Sequence, residues 1–159
     1  MPRWPADKLV NAVALTARLA QLPRPLVFTN GVFDVLHRGH VQYLAQARQL
    51  GAALLIALNS DASARQLGKG PDRPLNAERD RALVVGALES VDAVVLFDER
   101  TPCALMERVR PDLYVKGGDY DIQALEETRL VRSWGGDALS IAFVDGYSTT
   151  SLVQRIREG

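Results

Sequence analysis

The chain has 159 residues, 47% of them hydrophobic and 24% charged, which is the balance of a soluble globular protein long enough to bury a core. Nineteen basic residues face nineteen acidic ones, so bulk charge favours neither nucleic acid nor membrane as a partner. A single cysteine, Cys103, excludes an internal disulfide framework and a cysteine-rich metal site, and fits a reducing, cytoplasmic setting.

The predicted elements alternate between helix and strand along one domain, residues 1–159, with residues 1–25 as a helical extension at its start. Met1 to Pro5 has no secretory pattern. A helix is predicted from Ala6 to Leu22, closed by Pro23 and Pro25; Asn11, Thr16, Arg18 and Gln21 make it too polar to span a bilayer. Leu26–Thr29 reads as a strand, Gly39–Leu50 as a helix ending at Gly51, and Ala53–Leu58 as an apolar strand covered on both faces. Asn76 is the expected cap of a helix to about Leu88. Ala93–Phe97 follows as a strand, then a helix opened by Thr101-Pro102 and running to about Arg110. Cys103 lies in its first turn, either as a helix-terminus thiolate or as a small core residue. A strand at Asp112–Val115, a helix within Ile122–Trp134 ending at Gly135-Gly136, a strand at Leu139–Val144 and a helix at Thr150–Glu158 complete the order.

Five short apolar strands separated by helices predict an α/β protein, a parallel sheet with helices on both faces and right-handed crossovers. Ligands in such sheets sit at the carboxyl ends of the strands. Chemistry-bearing residues fall there: Thr29 to Asp34, Asn59 to Asp61, Asp98, Lys116 to Asp119, and Gly146 to Thr150.

The densest group is His37-Arg38-Gly39-His40, at the start of a helix whose free N–H groups and positive end attract anions. His37 and His40 are the only histidines and, three apart, point the same way on a helical turn. Gly39 carries no side chain, so phosphate oxygens have room to approach its backbone. With no third histidine, a triphosphate suits the pair better than a metal; Asp34 keeps a metal as the weaker alternative.

Thr29-Asn30-Gly31-Val32-Phe33-Asp34 followed by His37-Arg38-Gly39-His40 resembles the nucleotidyltransferase superfamily with the His-x-Gly-His signature. Arg73 to Arg79, Pro111 to Tyr120, and Gly146-Tyr147-Ser148-Thr149-Thr150 are similar to later motifs of one branch, the D-glycero-β-D-manno-heptose 1-phosphate adenylyltransferases, in their free-standing form without a fused sugar kinase. The sister glycerol-3-phosphate cytidylyltransferase branch carries arginine five residues before the serine of Ser-Thr-Thr; this chain has Phe143 there. A nucleotide-binding regulatory module without catalysis is a further alternative.

The resemblance implies a three-layer Rossmann-like fold and transfer of an adenylyl group from ATP, with Mg2+, to a sugar 1-phosphate. It implies catalytic contacts from His37, His40 and Lys69. Thr29, Asn30, Gly31, Val32, Phe33, Gly39, Lys116, Gly117, Asp119, Ser148, Thr149 and Thr150 would line the nucleotide. Asp34, Asn59, Asp61 and Arg73 would meet the sugar phosphate. The metal would be held mainly by ATP phosphates, and no side chain is assigned as its ligand. Several residues keep a second reading: Asp61 and Ser148–Thr150 as helix caps, Lys69, Arg79 and Arg155 as solvated cations, and Asp34 as an orienting group. The implied partners are these small molecules and a second copy of the chain in a homo-oligomer.

Overall fold

The computed structural model describes residues 3–159. Its six parallel strands are β1 (Leu9–Val10), β2 (Leu26–Gly31), β3 (Ala53–Asn59), β4 (Ala93–Phe97), β5 (Leu113–Gly117) and β6 (Asp137–Ile141), in the spatial order β1-β4-β3-β2-β5-β6. Seven helices connect or flank them: α1 (Leu15–Gln21), α2 (Arg38–Gln49), α3 (Asp61–Arg65), α4 (Glu78–Gly86), α5 (Cys103–Val109), α6 (Glu126–Ser133) and α7 (Thr149–Glu158).

All seven residues of β3 are buried, as expected for a central parallel strand covered on both faces. Side-chain alternation divides the core in two. Phe28, Leu55 and Tyr114 pack with Leu15 of α1, Met106 of α5 and Val131 of α6. Val27, Leu54, Ile56 and Val115 pack on the opposite face with Leu44 and Ala47 of α2 and Val85 of α4.

The predicted α/β architecture is present, with one strand more than the five expected. Helix Ala6–Leu22 is replaced by a single 3-10 turn at Pro5–Lys8, the two-residue β1, and α1. Leu9 and Val10 pair with Val94 and Val95, so apolar residues read as one helical face instead extend the sheet edge. The helix expected to be capped by Asn76 starts one residue later, at Glu78 with Ala77 as its cap position, because Asn76 is bound elsewhere. Cys103 is half-buried and burial raises its thiol pKa, which removes the thiolate reading.

The sheet order sets the site. The chain steps outward from β2 through β3 to β4, then returns to lay β5 on the other side of β2. The crossovers therefore part above β2 and β5, leaving a crevice at their carboxyl ends.

Candidate active site

A cleft of about 310 Å³ opens at that switch point. Its floor is the β2 exit, Asn30 to Asp34; its walls are the start of α2, the loop from Lys69 to Pro74, the end of β5, and residues 147–150 at the start of α7.

At the start of α2 two imidazoles take the place usually held by capping hydroxyls and carboxylates. His37 has extended backbone angles and is the N-cap; its Nδ1 accepts a hydrogen bond from the Gly39 N–H at 3.0 Å. His40 reaches back, its Nδ1 accepting from the His37 N–H at 3.3 Å. The rings stack with centroids 3.9 Å apart, and Phe33 packs on His40 at 5.4 Å. Burial lowers the pKa of both histidines, that of His40 to about 4, with positive charge on His37 and Lys69 adding to the effect.

Gly39 has a different reason from the one expected. A Cβ there would stand 2.8 Å from His37 Cε1 and 2.9 Å from its Nδ1. The space above Gly39 belongs to the His37 ring, and its N–H is already donated, so neither awaits a phosphate. Gly31 plays a similar part for Phe33, whose ring would meet a Cβ at 2.9 Å. Phe33 itself adopts φ 49°, a left-handed conformation costly for a side chain with a Cβ.

Asp34 is buried and its carboxylate is occupied. It accepts from the Leu75 N–H at 2.8 Å and the Asn76 N–H at 2.9 Å, while the Asn76 side chain donates to its carbonyl at 2.7 Å. Arg73 lies 3.6 Å away on the cleft side. Asp34 thus anchors the 73–76 loop to the β2 exit and is the orienting group of the two roles considered. The carboxylate expected to meet a sugar phosphate is therefore already engaged within the protein.

Lys69 and Arg73 reach the cleft from the α3–α4 loop, Lys69 exposed and Arg73 half-buried. Lys116 enters from the end of β5, with its ammonium 5.1 Å from the Tyr120 ring centroid. Burial lowers its pKa, opposed by Glu127. Thr149 Oγ1 donates to the Val35 carbonyl at 3.0 Å and ties the start of α7 to the β2–α2 loop. Ser148 caps α7 by accepting from the Ser151 N–H, and Thr150 borders the cleft.

Several expected site residues lie elsewhere. Thr29 is fully buried beneath the cleft, its hydroxyl hydrogen-bonded to that of Tyr43. Asn59 is buried and donates to Ser63 Oγ. Asp61 is the ion-pair partner of Arg81 at 2.8 Å. Asp119 is exposed outside the cleft lining, Arg79 borders a separate apolar groove beside β1, and Arg155 faces solvent.

Three contributors escaped the sequence reading. Arg81 is fully buried and donates to the carbonyls of Val32, Asn59 and Asn76, joining both strand ends to the 73–76 loop. Its signal was an arginine at a core-facing position of a helix, legible only once that face is known. Tyr43 and Tyr120 also line the cleft. Phe143 lies over Gly117 and Gly118, where added Cβ atoms would stand 2.7 and 2.9 Å from its ring. Among the described residues no group of three or more His, Cys, Asp or Glu side chains gathers at one point, and no helix is long and apolar enough to cross a membrane.

Residues 28–155 match the family model described as cytidylyltransferase-like. The chain is 58% identical to the D-beta-D-heptose 1-phosphate adenylyltransferase of Bordetella bronchiseptica, covering 96% of each. It is 53% identical to Bifunctional protein HldE of Syntrophotalea carbinolica over 84% of this chain but 27% of that protein, so it spans only a part of the bifunctional relatives. A solved lipopolysaccharide core biosynthesis protein from Thermoplasma volcanium superposes with a TM-score of 0.63 at 28% identity, over 77% of this chain and 98% of that one. On these matches the chain belongs to the cytidylyltransferase-like family of nucleotidyltransferases, in the branch of the heptose 1-phosphate adenylyltransferases.

Proposed function

We propose that the protein transfers the adenylyl group of ATP to D-glycero-β-D-manno-heptose 1-phosphate, giving ADP-heptose and pyrophosphate for lipopolysaccharide core or a related surface glycan. The observation that carries this reading is the stacked His37–His40 pair at the switch-point cleft, faced by Lys69, Arg73 and Lys116.

The phosphate oxygen of the sugar 1-phosphate attacks the α-phosphorus of ATP, the bond to the bridging α–β oxygen breaks, and pyrophosphate leaves. A phosphate monoester has a second pKa of about 6, so the nucleophile is already a dianion at neutral pH and needs no strong base. The protein must instead position two anions and stabilise charge on the α-phosphate and the leaving group. His37 and His40 are assigned to the triphosphate, Lys116 to the nucleotide phosphates, and Lys69 and Arg73 to the meeting point of triphosphate and sugar phosphate. Asn30 to Phe33 and Thr149–Thr150 line the nucleotide.

Among the described residues Asp34 is the one carboxylate lining the cleft, and its oxygens are already engaged by backbone N–H groups. Magnesium is therefore assigned to the phosphate oxygens of ATP, where it supplies charge neutralisation. Leu83 and Leu96, both exposed, line the apolar groove beside β1, which supports a homo-oligomer; light scattering tests it.

Pyrophosphate release is the direct assay, crossing ATP and CTP with heptose 1-phosphate, hexose 1-phosphates and glycerol 3-phosphate. Turnover is expected with ATP and the heptose substrate. A preference for CTP with glycerol 3-phosphate would move the protein to the sister branch, and nucleotide binding without turnover on any acceptor would favour a regulatory module.

A further inference from the structure

We propose that His37 and His40 work as neutral imidazoles, each presenting an Nε2–H donor to the triphosphate, while lysine and arginine carry the positive charge of the site. The turnover part of this proposal rests on the function above; the proton positions do not.

The helix cap fixes the tautomer. Each Nδ1 accepts a backbone N–H, from Gly39 at 3.0 Å and from His37 at 3.3 Å. A nitrogen that accepts cannot also hold a proton, so in a neutral ring the proton resides on Nε2. Protonating Nδ1 would set N–H against N–H and remove acceptors from the first turn of α2. The missing Cβ of Gly39 keeps the His37 ring in this position, since any side chain there would strike it. Stacking at 3.9 Å adds a second constraint, because two imidazolium rings face to face would repel.

Among the described residues lining the cleft, the charged groups are cations apart from Asp34. Facing the pair are Lys69 and Arg73 from the α3–α4 loop, Lys116 from β5 and Tyr147 ahead of α7. Arg38 on α2 turns its guanidinium over Tyr147, 5.6 Å from the ring centroid. Asp34 spends its carboxylate on Leu75 and Asn76. The downward pKa shifts of both histidines agree with this inventory. Directional hydrogen bonding and net charge are thus divided between different residues.

The chain has only two histidines, so nitrogen-15 NMR of the labelled full chain resolves both without ambiguity. Spectra are recorded at about pH 7.5, where a free imidazole is mostly neutral, with and without magnesium α,β-methylene-ATP. The expected result is an Nε2–H tautomer for both rings in both samples. An Nδ1–H tautomer in the free protein, or a doubly protonated ring in the complex, would overturn the proposal. In turnover, kcat/KM is expected to hold level as pH rises from about 6.5 to 9, because the donors stay neutral throughout. Loss of activity across that range in wild type, absent in His40→Gln, would identify an active imidazolium instead. Should no acceptor support turnover, the assigned function fails while the NMR result still decides the proton positions.

Discussion

Gly39→Ala separates two reasons for a glycine beside the paired histidines. The added methyl would lie 2.8 Å from His37 Cε1, 2.9 Å from His37 Nδ1 and 3.3 Å from Tyr147 Cβ, so the His37 ring must swing away. Three terms act on stability. Loss of the Gly39 N–H to Nδ1 cap costs about 1 kcal/mol. Forcing a methyl into filled space costs about 1–3 kcal/mol. Helix propensity returns about 1 kcal/mol. The net is a modest destabilisation of about 1–3 kcal/mol, which leaves a folded protein. Turnover should suffer far more, because a displaced His37 would withdraw the donor proposed for the triphosphate; one such contact is worth at least about a hundredfold in kcat. The assay pairs urea unfolding with pyrophosphate release under saturating ATP. Retention of kcat with only a raised KM for ATP would mean that the glycine serves phosphate approach and not the position of His37.

Arg81→Ala leaves three carbonyls and the Asp61 carboxylate without their donor and should cost about 3–5 kcal/mol, a fall in Tm of roughly 10 °C. A loss below about 1 kcal/mol by thermal unfolding would contradict the network. Lys116→Met should raise stability by about 0.5–2 kcal/mol, because it removes a charge whose pKa is depressed chiefly by burial, while turnover falls at least tenfold. A destabilised variant would show that Lys116 is paired in the free protein. Stability should also depend on acid. The unfolded His40 titrates near 6.5 and the folded one at about 4, so between those values the unfolded state binds more protons. Stability therefore declines as pH drops through this window, and the decline should be shallower in His40→Gln; equal slopes in urea titrations would contradict the assignment. His40→Ala should keep its fold and lose at least about a hundredfold in turnover, checked by circular dichroism and pyrophosphate release.

Much of the site was legible because a βα junction is local. Asn30 to His40 is one strand exit and one helix start, and its residue types alone predict an anion site beside two imidazoles. The strand-end rule then gathered Lys116 and Ser148–Thr150 from distant segments. Misreadings arose where the rule places a residue at a strand end without saying which way it points. Thr29 and Asn59 sit at those ends with their side chains turned into the fold, and Asp61 is drawn to an arginine twenty positions away. The N-terminal helix failed for a related reason: Leu9 and Val10 suit a helical face and a strand equally, and the free edge of β4 selected the strand.

The order of apolar runs was enough to give a parallel α/β sheet, and the His-x-Gly-His spacing to mark the helix start that borders its cleft, since both depend on periodicity over a few residues. Tertiary structure decided how each polar group is used. Asp34 became the anchor of a loop, Gly39 the seat of an imidazole, and Arg81 the link between strand ends, because a buried polar group must find a partner and that partner lies far away in the chain.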